Sequence, residues 1–256
     1  MDIFDQKKVF IIAGPCAIEN KEQLFEVAEA VKKAGIKYLR GGAYKPRTSP
    51  YSFQGLEEDG LKYLSEVGKR FGLKTVTEVT DSDIAELVAK HVDVLQVGAR
   101  NMDNYSLLKK LGKLTAKDKK PVLLKRGFSA TIEEWLLASE YITSAGNPNV
   151  ILCERGIRTF ETATRFTLDL SAVPVVKKLS THPIIVDASH STGHADMVIP
   201  MSRAAVAAGA DGIMVEVHPN PKKALCDGAQ SLTPIELEQL IKELKPIAKA
   251  LGKELS

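Results

Sequence analysis

The chain has 256 residues, of which 35 are basic and 32 acidic, so its formal net charge at neutral pH is only +3. That length suits one (β/α)8 barrel domain with a large core, and so small a charge does not by itself indicate a nucleic-acid partner. Three cysteines are too few for a disulfide framework, and the sequence has no run of about 18 apolar residues and no signal peptide in its polar N-terminal extension, residues 1–8. We therefore expect a cytoplasmic protein without a membrane segment.

Eight short apolar runs, rich in β-branched residues, alternate with amphipathic stretches along the chain. Nearly continuous apolar runs are typical of parallel strands that are covered on both faces. An open doubly wound sheet would give the same local pattern, but the count of eight favours a closed barrel. We predict one α/β domain over residues 1–256, a (β/α)8 TIM barrel, with strands within residues 9–15, 38–43, 75–79, 94–99, 122–127, 150–156, 183–189 and 212–217.

Helix starts and long loops are also visible in the sequence. Asn20, Thr131 and Thr233 each precede an amphipathic stretch and carry a side-chain oxygen that can accept a free backbone N–H of a first helical turn. The longest irregular stretches are predicted at residues 41–55 and 219–233, after the second and eighth runs. Loops of that length in a compact α/β domain are more often functional than accidental.

Each apolar run ends on a reactive or charged side chain, and in a barrel all eight carboxyl ends meet at one mouth. One group follows runs one, seven and eight, which are neighbours in a closed barrel, and consists of Cys16, His190, Glu216 and Asp227. A thiolate, an imidazole and two carboxylates suit Mn, Fe, Co or Zn better than Ca or Mg. A buried structural cysteine is the alternative interpretation of Cys16 alone.

A second group lies in the loop after run two, in the segment Lys45-Pro46-Arg47-Thr48-Ser49-Pro50. The prolines stiffen the loop, and the ammonium, guanidinium and hydroxyl groups are donors that suit a phosphate dianion. For the triplet Lys45-Pro46-Arg47 taken alone, a solvated basic turn is the simpler interpretation. The aromatic residues Tyr51 and Phe53, which follow, predict that the loop packs down onto the domain.

A third group is formed by Arg100, Lys125 and Arg155, which end runs four, five and six. A glycine near each base lets a ligand approach the backbone closely. Surface ion pairs could also explain any one of them. Three unpaired bases at one mouth would repel one another, and a bound phosphate would remove that cost. These groups together predict a pocket for polyanionic ligands.

The combination of motifs resembles the 3-deoxy-D-arabino-heptulosonate-7-phosphate (DAHP) synthases. The resemblance covers essentially the whole chain and is closest to their shorter, type I beta-like branch, which is related to the 3-deoxy-D-manno-octulosonate-8-phosphate (KDO8P) synthases. It is carried by Ala13-Gly14-Pro15-Cys16, Lys45 to Pro50, Gln96-Val97-Gly98-Ala99-Arg100, Asp187-Ala188-Ser189-His190, and Glu216-Val217-His218-Pro219 with Asp227-Gly228.

The resemblance implies a condensation of phosphoenolpyruvate with erythrose 4-phosphate that releases phosphate, the first step of the shikimate pathway to aromatic amino acids. It implies a divalent transition metal on Cys16, His190, Glu216 and Asp227, and catalytic roles for Lys45 and Glu78. Phosphoenolpyruvate would bind to Arg40, Lys45, Ala99, Arg100, Lys125 and Arg155. Erythrose 4-phosphate would bind to Lys45, Pro46, Arg47, Thr48 and Ser49.

The principal alternative is KDO8P synthesis from arabinose 5-phosphate. Pro46 directly before Arg47 favours the four-carbon aldehyde, and Cys16 argues against the metal-free subgroup of the octulosonate enzymes. An imine-forming aldolase that uses Lys45 or Lys125 lacks an apolar setting that would lower a lysine pKa. A non-enzymatic polyanion-binding protein is disfavoured because the only tryptophan, Trp135, belongs to a predicted helix.

Family likeness further suggests a homotetramer, and the short residues 1–8 lead us to expect no regulatory domain and no feedback inhibition by aromatic amino acids. Cys226 directly precedes Asp227. Because successive residues of an extended segment point to opposite sides, we expect Cys226 not to be a metal ligand. It is nevertheless predicted to lie close enough to Cys16 for oxidative pairing once the metal is lost.

Overall fold

The structure, a computed structural model, describes residues 2–47 and 49–256. Within these residues, eight parallel strands close into a barrel, because β1 pairs with β2 on one side and with β8 on the other. The strands are β1 (Lys8–Gly14), β2 (Tyr38–Arg40), β3 (Lys74–Glu78), β4 (Val94–Val97), β5 (Val122–Lys125), β6 (Val150–Glu154), β7 (Ile184–Asp187) and β8 (Gly212–Glu216). A short β9 (Glu254–Leu255) pairs with the start of β1. The predicted (β/α)8 barrel is confirmed.

Helices connect the strands on the outside of the barrel. They are α1 (Lys21–Lys33), α2 (Glu57–Phe71), α3 (Ala85–His91), α4 (Tyr105–Thr115), α5 (Ile132–Thr143), α6 (Ala172–Leu179), α7 (Ala188–Thr192), α8 (Ala195–Ala207) and α9 (Pro234–Ala250). In the part of the chain that the structure describes, no helix is both long enough and apolar enough to cross a membrane.

The three predicted helix starts are confirmed by their hydrogen bonds. The side chain of Asn20 accepts a backbone N–H of the first turn of α1. Thr131 forms a capping box with Glu134, and Thr233 forms one with Glu236. In each box the two side chains accept each other's backbone N–H, which satisfies two free donors at the start of the helix. These caps fix where α1, α5 and α9 begin, and hence the lengths of the loops that precede them.

Two apolar layers hold the barrel together. One lies between the strands and the surrounding helices, and the other fills the barrel interior with Ile3, Phe10, Ile12, Tyr38, Val76, Val94, Leu123, Ile151, Cys153, Ile185 and Met214. Because the interior is packed with side chains, it leaves no channel, and ligands must bind at the mouth formed by the loops after the strands.

The register between β1 and β8 brings the first and last strand ends together. Gly14 lies opposite Glu216. Gly14 has a φ of 152°, and a Cβ atom at this position would lie 2.0 Å from the carbonyl oxygen of Arg40. Only glycine therefore lets the ends of β1 and β2 approach so closely. The residue two positions further on, Cys16, is placed beside the end of β8.

The loops differ from the prediction in one respect. The stretches after β2 and β8 are long, as predicted, but residues 155–171 between β6 and α6 are also irregular and equally long. The prediction that the longest stretches follow only the second and eighth strands is therefore wrong. An isolated bridge between Ile157 and Thr167 folds this third loop back on itself.

Candidate active site

Four side chains converge at the barrel mouth in an arrangement that could hold a metal ion. One ligand atom from each of Cys16, His190, Glu216 and Asp227 lies within 4.8 Å of the others. His190 Nε2 is 3.2 Å from Glu216 Oε1 and 3.8 Å from Asp227 Oδ2, and Cys16 Sγ is 3.3 Å from Asp227 Oδ2. The sulfur, nitrogen and two carboxylate oxygens fit a divalent transition ion by donor chemistry and spacing.

The imidazole of His190 is oriented by a buried carboxylate. His190 Nδ1 lies 2.7 Å from Asp187 Oδ2, and the backbone N–H of His190 donates to the same carboxylate at 3.0 Å. Lys125 Nζ approaches it from the other side at 2.5 Å. Burial would raise the pKa of Asp187, but His190 and Lys125 outweigh it and hold that pKa well below its usual range. With Nδ1 facing Asp187, Nε2 is left for a metal.

Glu216 is held by several donors at once. Arg40 Nη1 donates to Glu216 Oε1 at 2.7 Å, and Gln230 Nε2 donates to Glu216 Oε2 at 2.7 Å. Arg40 is buried and also donates to the carbonyl oxygen of Pro15 at 3.0 Å, but its Nε has no hydrogen-bond partner in the described residues. It therefore lies beside the metal candidate rather than among the residues that line the cavity.

Lys45 lies against the same cluster. Its Nζ is 3.0 Å from the carbonyl oxygen and 3.1 Å from the sulfur of Cys16. Burial would lower the pKa of Lys45, but the negative charges of Cys16 and Cys226, when these are ionised, and of Glu216 outweigh it and raise that pKa. The amine is therefore protonated at neutral pH, which disfavours the imine-forming alternative for Lys45, since a Schiff base requires a free amine.

Cys226 lies close to Cys16, as predicted, and the group of candidate metal ligands does not include it. Its sulfur lies 3.0 Å from Cys16 Sγ and accepts a hydrogen bond from Arg47 Nη1. The hydrogen bond from Cys16 lowers the pKa of Cys226 to about 7. The assumption of an extended segment is wrong here, because Asp227 adopts a left-handed conformation with φ of 50°, so successive side chains need not alternate as they do in a strand.

A cavity of about 260 Å³ adjoins the metal candidate and is lined mainly by polar and charged groups. Glu78, at the end of β3, is half-buried and accepts a hydrogen bond from Gln96 Nε2 at 3.2 Å. A Cβ atom at Gly98 would lie 2.1 Å from Glu78 Oε1, so glycine makes room for this carboxylate. Ala99 also lines the cavity.

The three predicted phosphate-binding bases all reach this cavity. Arg100, Lys125 and Arg155 line it together. Our assumption that all three are unpaired is wrong for Lys125, which is paired with Asp187. Arg155 is buried, and its Nη1 has no hydrogen-bond partner among the described residues. Burial lowers the pKa of Arg155 to about 10, so the group remains charged at neutral pH.

The loop after β2 forms part of the cavity wall through Pro46, Arg47, Ser49 and Ser52. Thr48, which was predicted with them, lies outside the residues that the structure describes. The loop packs down only in part: Phe53 contacts the cluster of Cys16, Ala17 and Cys226, whereas Tyr51 is 97% exposed.

Some residues of the site were missed by the sequence analysis. Arg165, from the loop after β6, lines the cavity and donates to Asp227 Oδ2 at 3.3 Å and Gln230 Oε1 at 2.9 Å. Arg126 is buried and donates to Glu154 Oε2 and Asp169 Oδ2, each at 2.9 Å. Arg165 belongs to an irregular loop with no motif, and no signal marked it. Arg126 and Glu154 stand at the ends of β5 and β6, where the sequence places them beside Lys125 and Arg155, but neither lines the cavity.

The fold and the site together define a (β/α)8 barrel protein with a transition-metal candidate beside an anion-binding cavity. The model of the DAHP synthetase I family matches residues 3–252. A phospho-2-dehydro-3-deoxyheptonate aldolase from Thermotoga maritima is 58% identical over 242 residues, which cover 94% of this chain and 70% of that protein. The chain belongs to the DAHP synthetase I family.

The chain is also similar to two solved structures and to a relative that is named as a second type of enzyme. A crystal structure of the Thermotoga maritima DAHP synthase superposes with a TM-score of 0.94 at 56% identity, covering 98% of this chain and 72% of that one. A truncated form of the 3-deoxy-D-arabino-heptulosonate 7-phosphate synthase from the same organism gives 0.90 at 52% identity, covering 98% and 90%. A 2-dehydro-3-deoxyphosphooctonate aldolase from Desulfosudis oleivorans is 33% identical, over 94% of this chain and 90% of that protein.

Proposed function

We propose that this protein is a 3-deoxy-7-phosphoheptulonate synthase, which condenses phosphoenolpyruvate with erythrose 4-phosphate to give DAHP and phosphate. The observation that carries the proposal is the juxtaposition of a sulfur, nitrogen and oxygen metal candidate with a cavity lined by phosphate-binding bases. The match of the family model to residues 3–252 supports the same activity.

The metal site of the proposal consists of Cys16, His190, Glu216 and Asp227, whose ligand atoms are already close together. Burial would raise the pKa of Asp227, but the charges of His190 and Arg165 lower it to about 2, so its carboxylate is ionised at neutral pH. A bound divalent ion would act as a Lewis acid on the aldehyde carbonyl. The mixed sulfur, nitrogen and oxygen donor set suits Mn, Fe, Co or Zn.

Phosphoenolpyruvate is proposed to bind with its phosphate on Arg100, Lys125 and Arg155, next to Ala99. The unpartnered Nη1 of Arg155 supports this assignment, because a buried donor without a partner is satisfied when an anionic ligand binds. Arg40 was predicted with these residues but is not among those that line the cavity, and in this proposal it positions Glu216, to which it is bonded.

Erythrose 4-phosphate is proposed to bind with its phosphate on Arg47 and Ser49, together with Thr48. Arg47 and Ser49 line the same cavity from the side opposite β4 to β6, and Pro46 stiffens the backbone between Lys45 and Arg47. Two anionic substrates held in one cavity would face each other. Because the protein holds both reactants in place, the bimolecular reaction becomes effectively unimolecular.

The reaction is proposed to begin when C3 of phosphoenolpyruvate attacks the aldehyde carbon. The electron pair of the C2–C3 π bond forms the new C–C bond, the carbonyl π bond opens to an alkoxide, and C2 is left electron-deficient. Lys45, protonated and directed into the cluster, donates its proton to the new alkoxide or stabilises its charge. Water then adds at C2, and Glu78 accepts its proton. The new hydroxyl at C2 gives its proton to the departing phosphate as the ketone forms, and the bond between C2 and the bridging oxygen breaks, so that phosphate leaves with that oxygen.

The second candidate is KDO8P synthesis from arabinose 5-phosphate, favoured by relatives such as the octulosonate aldolase at 33% identity. The heptulosonate aldolase at 58% identity supports the four-carbon aldehyde. A homotetramer and a cytoplasmic location, which the family likeness suggests, remain predictions.

The test is an assay of phosphate release from phosphoenolpyruvate with each of the two sugar phosphates, before and after treatment with a chelator. We expect turnover with erythrose 4-phosphate, loss of turnover in chelator, and recovery on adding Mn²⁺ or Zn²⁺. Preference for arabinose 5-phosphate would select the second candidate. Absence of phosphate release with either sugar, in metal-loaded protein, would refute both.

Matched variants separate the two phosphate sites. Arg47→Ala should raise KM for erythrose 4-phosphate and leave KM for phosphoenolpyruvate unchanged, whereas Arg100→Ala should do the reverse. Arg70→Ala, an arginine on α2 that packs against Phe25 outside the cavity, serves as the control. Equal effects of the first two variants on both substrates would contradict the proposed division of the cavity.

A further inference from the structure

Two phenylalanines of the barrel mouth form a stacked pair beside the cavity. The rings of Phe128, after β5, and Phe166, in the loop after β6, have centroids 5.1 Å apart and planes inclined by 10°. Both side chains are only partly buried, and Phe128 lines the cavity in an otherwise polar wall. Phenylalanine offers phosphate no hydrogen bond, so the pair cannot bind a phosphorylated substrate in that way.

Guanidinium groups surround this aromatic pair. The Cζ of Arg155 lies 4.0 Å from the ring centroid of Phe166 and 4.9 Å from that of Phe128. Arg100 and Arg158 lie over Phe128 at 5.3 Å and 5.5 Å. These distances are within the range of cation–π attraction. Arg100, after β4, and Arg155, after β6, therefore both lie over the ring of Phe128.

The neighbouring Arg126 is stabilised by carboxylates, whereas Arg155 is stabilised by aromatic rings. Arg126 is also buried, but it donates to the carboxylates of Glu154 and Asp169, so its charge is compensated within the protein. For Arg155, no ion pair with a carboxylate is found in the described part of the chain; its Nη2 has one long contact of 3.4 Å to the carbonyl oxygen of His190, and its Nη1 is unpartnered.

A ring face and a carboxylate stabilise an arginine in different ways. A carboxylate occupies the N–H donors at the edge of the guanidinium plane, which are the groups that a phosphate needs. An aromatic face attracts the positive charge without accepting those hydrogen bonds. A buried arginine held by rings thus stays charged and fixed in place while its donors remain free for a ligand.

We propose that the Phe128–Phe166 pair is a positioning device that holds the guanidinium groups of Arg155 and Arg100 for the phosphate of phosphoenolpyruvate. The inference rests on the proposed function for the identity of that substrate. The phenylalanines do not contact the reacting atoms. They determine how tightly phosphoenolpyruvate binds, and they have no part in the chemical steps.

The test compares Phe128→Leu, Phe166→Leu and the double variant with Phe128→Tyr, which keeps an aromatic face. Binding of phosphoenolpyruvate and of inorganic phosphate is measured by calorimetry, and KM and kcat by phosphate release. Phe71→Leu is the matched control, because Phe71 pairs with Phe25 and lies 5.9 Å from Arg70 outside the cavity. Thermal unfolding of each variant reports whether it is folded.

We expect the double leucine variant to bind phosphoenolpyruvate about tenfold more weakly, which corresponds to about 1.4 kcal/mol. Each single variant should show part of this loss, so the prediction remains testable if the double variant does not fold. KM for erythrose 4-phosphate and kcat at saturating phosphoenolpyruvate should stay within about twofold of the wild type. Phe128→Tyr should bind phosphoenolpyruvate like the wild type, as should Phe71→Leu.

Two results would overturn the inference: wild-type binding of phosphoenolpyruvate by folded leucine variants, or equal losses for both substrates with no rescue by tyrosine, which would indicate general packing. The direct binding measurement separates this inference from the proposed function. If the wild type released no phosphate with erythrose 4-phosphate, the proposed function would fail, and the calorimetric comparison of the variants would still decide the role of the aromatic pair.

Discussion

Replacing Asp187 by Asn removes the buried negative charge that connects the metal candidate with the phosphate-binding bases. Asp187 is fully buried and lies 2.5 Å from Lys125 Nζ and 2.7 Å from His190 Nδ1. Asparagine has nearly the same size, so the substitution changes the charge and the hydrogen-bonding pattern but scarcely the volume. Lys125 would lose its ionic partner, and His190 would lose the carboxylate that faces its Nδ1.

Two magnitudes follow from this geometry. Breaking a buried ion pair by removing one partner costs about 3–5 kcal/mol, because the remaining charge is left uncompensated. Loss of the carboxylate that orients a metal-binding histidine costs about 10- to 100-fold in metal affinity. We therefore expect Asp187→Asn to lower the free energy of unfolding of the metal-free protein by several kcal/mol and to weaken metal binding by one to two orders of magnitude.

The loss of stability should also depend on pH. The folded-state pKa of Asp187 lies well below the ordinary carboxyl value. Its ionised form therefore stabilises the native state fully above about pH 4 and progressively less as the pH falls through the folded-state pKa. The part of the stability difference that comes from the ionised carboxylate of Asp187 should be constant near neutral pH and should shrink in acid.

Urea denaturation and competition with a chromophoric chelator measure these two effects. Asp93→Asn is the control, because Asp93 accepts from Lys74 at 2.9 Å in a pair whose side chains are 51% and 30% exposed, and such a pair contributes about 1 kcal/mol or less. Asp93→Asn should leave metal affinity unchanged. If Asp187→Asn matched the wild type in both stability and metal affinity, the bridging role of Asp187 would be refuted.

Three further substitutions or treatments test other parts of the site. Lys45→Met should leave metal binding intact while kcat falls by about 10²- to 10⁴-fold, and near-normal turnover would remove Lys45 from the mechanism. Metal-free protein exposed to air should form a disulfide between Cys16 and Cys226, whose sulfurs are 3.0 Å apart; mass spectrometry without this cross-link would contradict the prediction. Gly98→Ala should displace Glu78, whose Oε1 would lie 2.1 Å from the new Cβ, and should therefore lower kcat in the phosphate-release assay, whereas unchanged kcat would show that the position of Glu78 is unimportant.

The convergence of the metal candidates could be predicted from sequence because it depends on topology. Cys16 follows β1, His190 follows β7 and Glu216 ends β8, and these strands are neighbours in any closed barrel of eight. Strand periodicity is a strong signal, and the barrel converts it into proximity between residues far apart in the chain.

The partners of the charged groups could not be predicted in the same way. That Lys125 is paired with Asp187, and that Arg40 is bonded to Glu216, depends on side-chain conformations inside the mouth. Likewise, the direction of Cys226 is set by the positive φ of Asp227. Neither kind of information is contained in the spacing of residue types along the chain.

The contacts made by irregular loops also could not be predicted from the sequence. Arg165 and Phe166 lie in residues 155–171, where the sequence has no periodic pattern and the fold depends on local bridges such as that between Ile157 and Thr167. Their contacts with Arg155, Asp227 and Gln230 emerge only when the loop is folded over the mouth.

The most direct test of the central claim, that side chains from three adjacent strand ends form one metal site, is a titration of the metal-free protein with Co²⁺. We predict one equivalent bound with a sulfur-to-cobalt charge-transfer band, which disappears in Cys16→Ser and persists in Cys226→Ser. Binding of Co²⁺ without such a band in the wild type, or a band that survives in Cys16→Ser, would contradict the proposed site.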